Sequence, residues 1–595
     1  MMFHASHMKL FLKCVCAIFA ITICACQQNP DSVASKKLAD TNDREQEKVE
    51  KPVLHDSQLA ELKQLELELL SKAQPVVPGV WLALPDWLSE TDLPFDALKY
   101  FDHEPGENGA THYLRAAAMA EPLEMALFVP GAYDSESETL DPEYKKLTEI
   151  SNVFGDVRYL LLNAVYDPED EVAQKYFETQ GPTYAKRITN LLDELKAAHS
   201  LPIVQLNKGF SLDHLEPSYA FKSICHDLTI GCLLEPDSPR AIEMLDQMLQ
   251  LERNIRKLGN QNMQLNGSSM VRCAAADAAT AIIHSTEDPQ HLEKLIDTLI
   301  KAKQYDNENP RFLEIARFEY LQLRKLLHDL RTDSFQIDYD SWGPYGVDAD
   351  LPSVVNAHKI MTSVIGEYRV NEEIALEAIT DSLSDQSELL EQAKQTIAAN
   401  KPKKPGPGSN FSPAAAISLP LLVSEFNSMN ENDFITEIEI LDSRLFSIER
   451  DAGLPLADRL KKMELLRDQW TEDDSWRDSK FLKWHKPGRF SGVLTARGHV
   501  LINGAISLAC VKKFQLENDQ KLPVDVQTAV AAAGLADVEV FDLYSGAPFR
   551  LLSDESGVAA VYSFGPDRKD NLGQPALVPG EYNSDAVGDV VFTIR

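Results

Sequence analysis

At intervals along this chain a short polar side chain stands directly before a proline: Asp141-Pro142, Asp167-Pro168, Ser238-Pro239, Asp288-Pro289 and Asn309-Pro310. Each pair sets a capping oxygen ahead of a proline at the first helical position, where the missing N–H costs nothing. Apolar stripes follow. Residues 239–258 carry Ala241, Met244, Leu245, Met248, Leu251, Ile255 and Leu258, and residues 290–303 repeat the spacing with Leu292, Leu295, Ile296 and Leu299. Residues 311–330 are apolar on more than one side, which predicts a central helix. Between these, 269–283 is rich in alanine, so a neighbouring helix can approach closely. No fixed-period repeat recurs, which points to an irregular helical bundle or array. The expected fold class is mainly α, with a small α+β module at the carboxyl end built from a long helix and a short antiparallel sheet.

Length and charge narrow the function. At 595 residues the chain can form two to four domains with a sizeable core. A hydrophobic content of 44% beside 25% charged residues is that of a globular protein. The net charge is −34, and it falls to −36 without residues 1–25, which hold two lysines and no acid. Such a charge repels phosphate backbones, so nucleic acid is not an expected partner. The plain reading of the acidity is a solvated surface; the sharper one is a subset of acids gathered around a divalent cation.

The amino terminus reads as an address. Lys9 to Cys26, KLFLKCVCAIFAITICAC, places two lysines before a short apolar run that ends in Ile23-Cys24-Ala25-Cys26. The run is too short for a membrane span of about 20 residues and has the layout of a secretory signal. Its ending resembles the bacterial lipobox. That resemblance implies that residues 1–25 are removed and that Cys26 is lipidated with palmitate-type chains, anchoring the protein to a cell-envelope membrane facing the periplasm or exterior. Residues 26–57 are polar and charged, a flexible tether with a reach of roughly 30 Å. Asp56 and Ser57 are candidate caps for a helix over 58–74, which Pro75 and Pro78 stop. In 76–107, Trp81, Trp87, Phe95, Tyr100 and Phe101 sit among prolines, as expected of a segment wrapped on the helical body.

The remainder divides by composition. A helical body spans 58–400 and includes an acidic, aromatic loop at 332–352 with Asp333, Asp338, Asp340, Asp348 and Asp350. A long loop of this kind is a candidate functional element. The segment KPKKPGPGSN marks a linker at 401–412, and 413–491 reads as further amphipathic helices. From 492 to 595 the order is a long helix over 494–516, a short one near 526–533, a turn at Asp542–Gly546, a hairpin of 548–552 with 558–563, and a strand over 589–595.

This last order, with the phrases FQLENDQKLP, FDLYSGAPFRL and YSFGPDRKDNLG…VGDVVF, resembles the soluble part of the major pseudopilins of type II secretion. The resemblance covers about the last hundred residues. It implies a calcium (Ca2+) site in the closing loop. Asp567 matches the aspartate of the family's "GAD" phrase, Asp589 the aspartate before the last strand, and Ser563 stands near the start of the loop. Asp570 joins them by proximity, since a hard cation takes several carboxylate oxygens. The loop is longer than the family's, and a lipobox replaces the prepilin cleavage site and assembly helix, so polymerisation is not implied.

Chemistry is sparse. Cys14, Cys16, Cys24 and Cys26 belong to the signal, which leaves Cys225, Cys232, Cys273 and Cys510. Cys225 and Cys232 lie about 10.5 Å apart along a helix, beyond the roughly 7 Å limit for a disulfide. A bridge from either to Cys273 and four free thiols are the two alternatives. No GxSxG, HExxH or GxxxxGK phrase occurs. His226 follows Cys225, yet adjacent helical side chains diverge by about 100°. The expected function is a lipid-anchored, non-enzymatic scaffold or partner-binding protein of the envelope. The alternatives are a hydrolase with a cleft in the helical body and an accessory component of a secretion or pilus-like assembly.

Overall fold

The computed structural model describes residues 52–53, 55–72, 109–121, 133–134, 139–140, 145–166, 171–201, 218–256, 268–308, scattered positions between 313 and 331, 369–370, 372–400, 428–451, 479–480, 485–486, 490–553, 559–565, 568–574 and 589–594. Outside them lie the signal, the aromatic segment 76–107, the acidic loop 332–352, the linker 401–412 and the segment 413–427.

The fold is mainly α with a small antiparallel sheet near the carboxyl end. In chain order come α1 (Asp56–Lys72), α2 (Ala110–Ala120), the two-residue strands β1 (Tyr133–Asp134) and β2 (Thr139–Leu140), α3 (Lys145–Tyr166), α4 (Glu171–Ser200), α5 (Ser218–Leu234), α6 (Pro239–Ile255), α7 (Ser268–Ser285) and α8 (Pro289–Glu308). There follow β3 (Arg369–Val370), α9 (Glu372–Ser382), α10 (Ser387–Asn400), α11 (Glu431–Asp451), β4 (His485–Lys486), α12 (Phe490–Glu517), α13 (Val526–Ala532), β5 (Arg550–Ser553), β6 (Ala559–Ser563) and β7 (Val590–Ile594).

The polar-proline starts work as capping chemistry requires. Ser238 Oγ accepts from the Arg240 amide at 3.1 Å, and Asp288 Oδ1 accepts from the Gln290 amide at 2.9 Å. The other three such pairs lie outside the described residues. Helix α1 begins at Asp56, two residues before the expected start, and the His55 amide donates to Gln58 Oε1 at 2.9 Å. The apolar stripes of α6 and α8 are buried as their spacing predicts.

One continuous apolar cluster runs from Leu62 in α1 to Phe592 in β7. Its middle is α7, whose alanines Ala274, Ala275, Ala278 and Ala279 are buried and let α5, α6 and α12 pack against it. The buried side chains Leu313, Tyr320, Leu321, Leu323 and Leu327, from the stretch expected to be central, fall outside this cluster. That place belongs to α12. It packs on α7, α8, α13, β6 and β7, and no residue from Ala496 to Leu516 is exposed. A β-carbon at Gly504 would overlap the Phe592 ring, so glycine alone lets β7 lie this close to the helix. The sheet has the order β5-β6-β7, with Leu551 opposite Val561 and Val561 opposite Phe592. Among the described residues no helix is long and apolar enough to cross a membrane.

Candidate functional site

Three groups of polar side chains lie inside the helical core. The first joins α2, α3, α4 and α5. Arg158 Nε donates to Asp227 Oδ1 at 2.6 Å and the Tyr184 hydroxyl donates to the same oxygen at 2.6 Å. Arg158 also reaches Glu121 Oε2 at 3.3 Å, which accepts from Ser223 Oγ at 3.0 Å. The Phe154 ring stacks on Tyr184 at 5.0 Å and carries the guanidinium of Arg158 at 4.9 Å and that of Arg187 at 4.2 Å. Burial opposes the charge on Arg158, but Asp227, Tyr184 and Glu121 outweigh it and hold the guanidinium above its ordinary value. Burial lifts the Asp227 carboxyl, against the pull of Arg158 and Tyr184.

The second group ties α6, α7 and α8 to α12. Arg272 Nε donates to Glu252 Oε1 at 3.0 Å, and Ser268 Oγ donates to the same oxygen. Asp306 Oδ1 accepts from Arg256 at 2.7 Å and also from Arg272. His499, on α12, sets Nδ1 3.6 Å from Asp306 Oδ2. Two guanidiniums therefore face two carboxylates in a site closed to water. Burial raises Glu252 and Asp306, yet the arginines overcome it and both carboxyls sit below the usual range. Burial pushes His499 down to about 3, with Arg272, Lys303 and Arg256 adding to the effect and Asp306 opposing it, so the ring is neutral. Lys512 of α12 adds a bond to Glu287 at 3.0 Å, in the turn between α7 and α8.

The third is a directed hydrogen-bond chain across α2, α4 and α6. Asn254 Nδ2 donates to the Tyr113 hydroxyl at 2.9 Å. That hydroxyl lies 2.5 Å from His199 Nε2, and His199 Nδ1 lies 2.5 Å from Gln247 Oε1. Because an amide oxygen only accepts, Nδ1 carries the proton and Nε2 accepts from Tyr113. Burial lowers His199 and raises Tyr113. This is a tyrosine–histidine pair able to pass a proton, but Tyr113 is only 1% exposed, so what it bonds is helix to helix.

Of the residues expected around calcium, Asp570 and Asp589 stand on one loop and Ser563 on the neighbouring turn. Ser563 is buried and donates to Asp542 Oδ1 at 2.6 Å. Asp542 also accepts from the amides of Tyr544 (3.0 Å), Ser545 (3.2 Å) and Phe564 (3.1 Å), which saturates its carboxylate and pins the turn to the sheet. Asp589 is buried and accepts from the amides of Gly573 at 2.7 Å and Asn571 at 3.3 Å. Asp570 is exposed and accepts from the Leu572 amide at 2.9 Å and the Tyr562 hydroxyl at 3.2 Å. Asp570 and Asp589 thus brace one loop, while Ser563 serves another. No set of three or more His, Cys, Asp or Glu able to hold a metal occurs among the described residues. Asp567 lies outside them, as do Cys26 and the acids of 332–352.

Cys225, Cys232, Cys273 and Cys510 are free thiols, three of them buried. Burial raises Cys225 and Cys232 and pushes Cys510 up to about 12. His226 is partly covered and is driven down by burial, with Lys222 and Arg158 adding to the shift. The interior groups were missed by motif reading because none forms a motif. Their one trace is charge at stripe positions: Glu252 and Arg256 continue the buried face of α6, Arg272 interrupts the alanines of α7, and His499 falls inside the apolar run of α12. No protein family, curated protein or solved structure matches this chain.

Proposed function

We propose that this is a lipid-anchored protein of the cell envelope, held by Cys26 at a membrane facing the periplasm or exterior, and that it acts as a non-enzymatic scaffold or partner-binding protein. The observation that supports this reading is how the interior polar groups are used. Arg158, Asp227 and Tyr184 lock one end of the helical core, and Glu252, Arg256, Arg272, Asp306 and His499 lock the other to α12. In these two groups the acids, bases and hydroxyls are buried and committed to joining helices, which makes a rigid body suited to presenting its outer surface. The pilus-like alternative needs a helix with a face to offer its neighbours. The helix of the module, α12, has none from Ala496 to Leu516.

Growth with radioactive palmitate, followed by mild detergent extraction and co-purification, tests the proposal. The expected result is label on the native chain, none on Cys26→Ala, and a stoichiometric envelope partner. A native chain found soluble with its leader attached, or a lone monomer that turns over an envelope substrate, refutes it.

A further inference from the structure

Where the chain leaves its tether, the body carries exposed apolar side chains. The Tyr176 hydroxyl in α4 donates to the Pro52 carbonyl at 2.5 Å, and Lys186 holds Asp56 at 2.8 Å, so Pro52 and Asp56 are both held to α4. Val53 follows Pro52 directly and is 44% exposed. Val172 lies one helical turn before Tyr176 and is 59% exposed. Tyr159, 60% exposed, lies one turn after Asp156 in α3, and the Asp156 charge bears on the Tyr176 phenol. Val53 and Val172 therefore flank the Tyr176–Pro52 bond, and Tyr159 stands exposed on α3, which packs against α4. The other exposed large apolar groups, such as Phe446 and Val524, sit elsewhere in the fold.

We infer that this corner of α3 and α4 is a membrane-docking surface, and that its occupant is the lipid bilayer in which Cys26 is anchored. The inference rests on the anchor proposed above. The argument is one of length and place. Only residues 27–51 separate the anchor from the fixed segment, a reach of roughly 30 Å for a chain of that composition. A surface at the foot of such a tether meets the bilayer at an effective concentration on the order of millimolar, so a contact too weak to hold a free protein becomes populated. The chemistry fits an interfacial position: two valines to enter the acyl boundary and a tyrosine whose hydroxyl stays at headgroup level. Asp156, Glu171 and Glu178 outnumber Lys175 among the exposed charges beside it, which favours zwitterionic over anionic headgroups.

The test uses the full lipidated chain with Cys273→Ser in phosphatidylcholine vesicles, carrying an environment-sensitive fluorophore at Val172→Cys or, as control, at Val524→Cys. Vesicle co-sedimentation reports the anchor, and quenching by nitroxide-bearing lipid reports the face. The expected result is co-sedimentation of both, at least about twofold quenching at position 172 and little at 524, with weaker quenching when phosphatidylglycerol is added. Co-sedimentation with equal quenching at the two positions overturns the docking face and leaves the anchor standing. Failure to co-sediment overturns both. Shielding at 172 that grows with protein density and ignores the nitroxide assigns the face to a second copy, and also overturns the inference.

Discussion

Replacing Asp306 by asparagine is the sharpest test of how the core is held. The Asp306 side chain is 1% exposed and accepts from Arg256 at 2.7 Å and from Arg272. Asp306→Asn keeps the volume but leaves both guanidiniums facing Glu252 alone, one uncompensated positive charge in a site without water. Breaking a buried pair in this way costs about 3–5 kcal/mol, more than an exposed pair by several-fold. Because Asp306 lies in α8 and faces His499 in α12, the loss must appear in both helices. Hydrogen exchange followed by mass spectrometry reads it directly. Exchange through cooperative opening of residues 289–308 and 496–516 is expected to rise by about two to three and a half orders of magnitude, at 1.4 kcal/mol per decade. The charge-neutral double variant Arg272→Met with Asp306→Leu should recover most of that protection, since exchanging a buried ion pair for apolar groups is close to neutral. A rise of less than about tenfold in the single variant, or one confined to α8, refutes the clasp.

The thiols give a simpler measurement. In the native protein Cys225, Cys232 and Cys510 should resist a maleimide, with Cys273 modified first, and all four should react after denaturation; fast native labelling of Cys225 would contradict its burial. If the closing loop holds calcium, as the pseudopilin resemblance implies, the ion should raise the melting temperature of the native chain and not that of Asp589→Asn; no rise in the native chain removes the ion from that loop. Stability should fall on acidification from about pH 6.5 toward 3 by roughly 1.4 kcal/mol per pH unit from His499 alone. The folded ring is held down to about 3, so the unfolded state binds the extra proton throughout that window. Glu252 and Asp306, held below their unfolded values, add to the loss from about pH 4 downward. A His499→Gln chain whose denaturant midpoint keeps the same slope between pH 6 and 4 would exclude this assignment.

Much of the fold was legible because local chemistry writes it. Ser238 and Asp288 cap the helices that their following prolines open, and the stripe of α6 is buried from Ala241 to Ile255, Leu258 lying outside the described residues. The order of the closing module, long helix, short helix, turn, hairpin and last strand, was readable for the same reason. What could not be read was the central place of α12. Residues 311–330 look apolar on several sides, whereas α12 carries His499, Asn503, Lys512 and Gln515, all of which are buried. His499, Asn503 and Lys512 find partners at Asp306, Phe541 O and Glu287, positions from 38 to 225 residues away. No window along the chain contains that information. The interior clusters were hidden for the same reason: in a chain with 92 acids, nothing local marks Asp227 or Asp306 as the ones inside.

The same clusters locate the acid surplus. Inside the described core, Arg158 stands against Asp227 and Glu121, and Arg256 and Arg272 against Glu252 and Asp306, so the interior is close to neutral. The described interior therefore takes up almost none of the net charge of −34, in keeping with the solvated-surface reading of the composition. A partner for that surface either brings positive charge or approaches through exposed apolar side chains such as Val53, Tyr159 and Val172. Salt separates the two, because screening weakens the first contact within a Debye length of about 8 Å and leaves the second intact. A contact that survives high salt therefore belongs to the apolar corner, and one that dissolves belongs to the acidic surface.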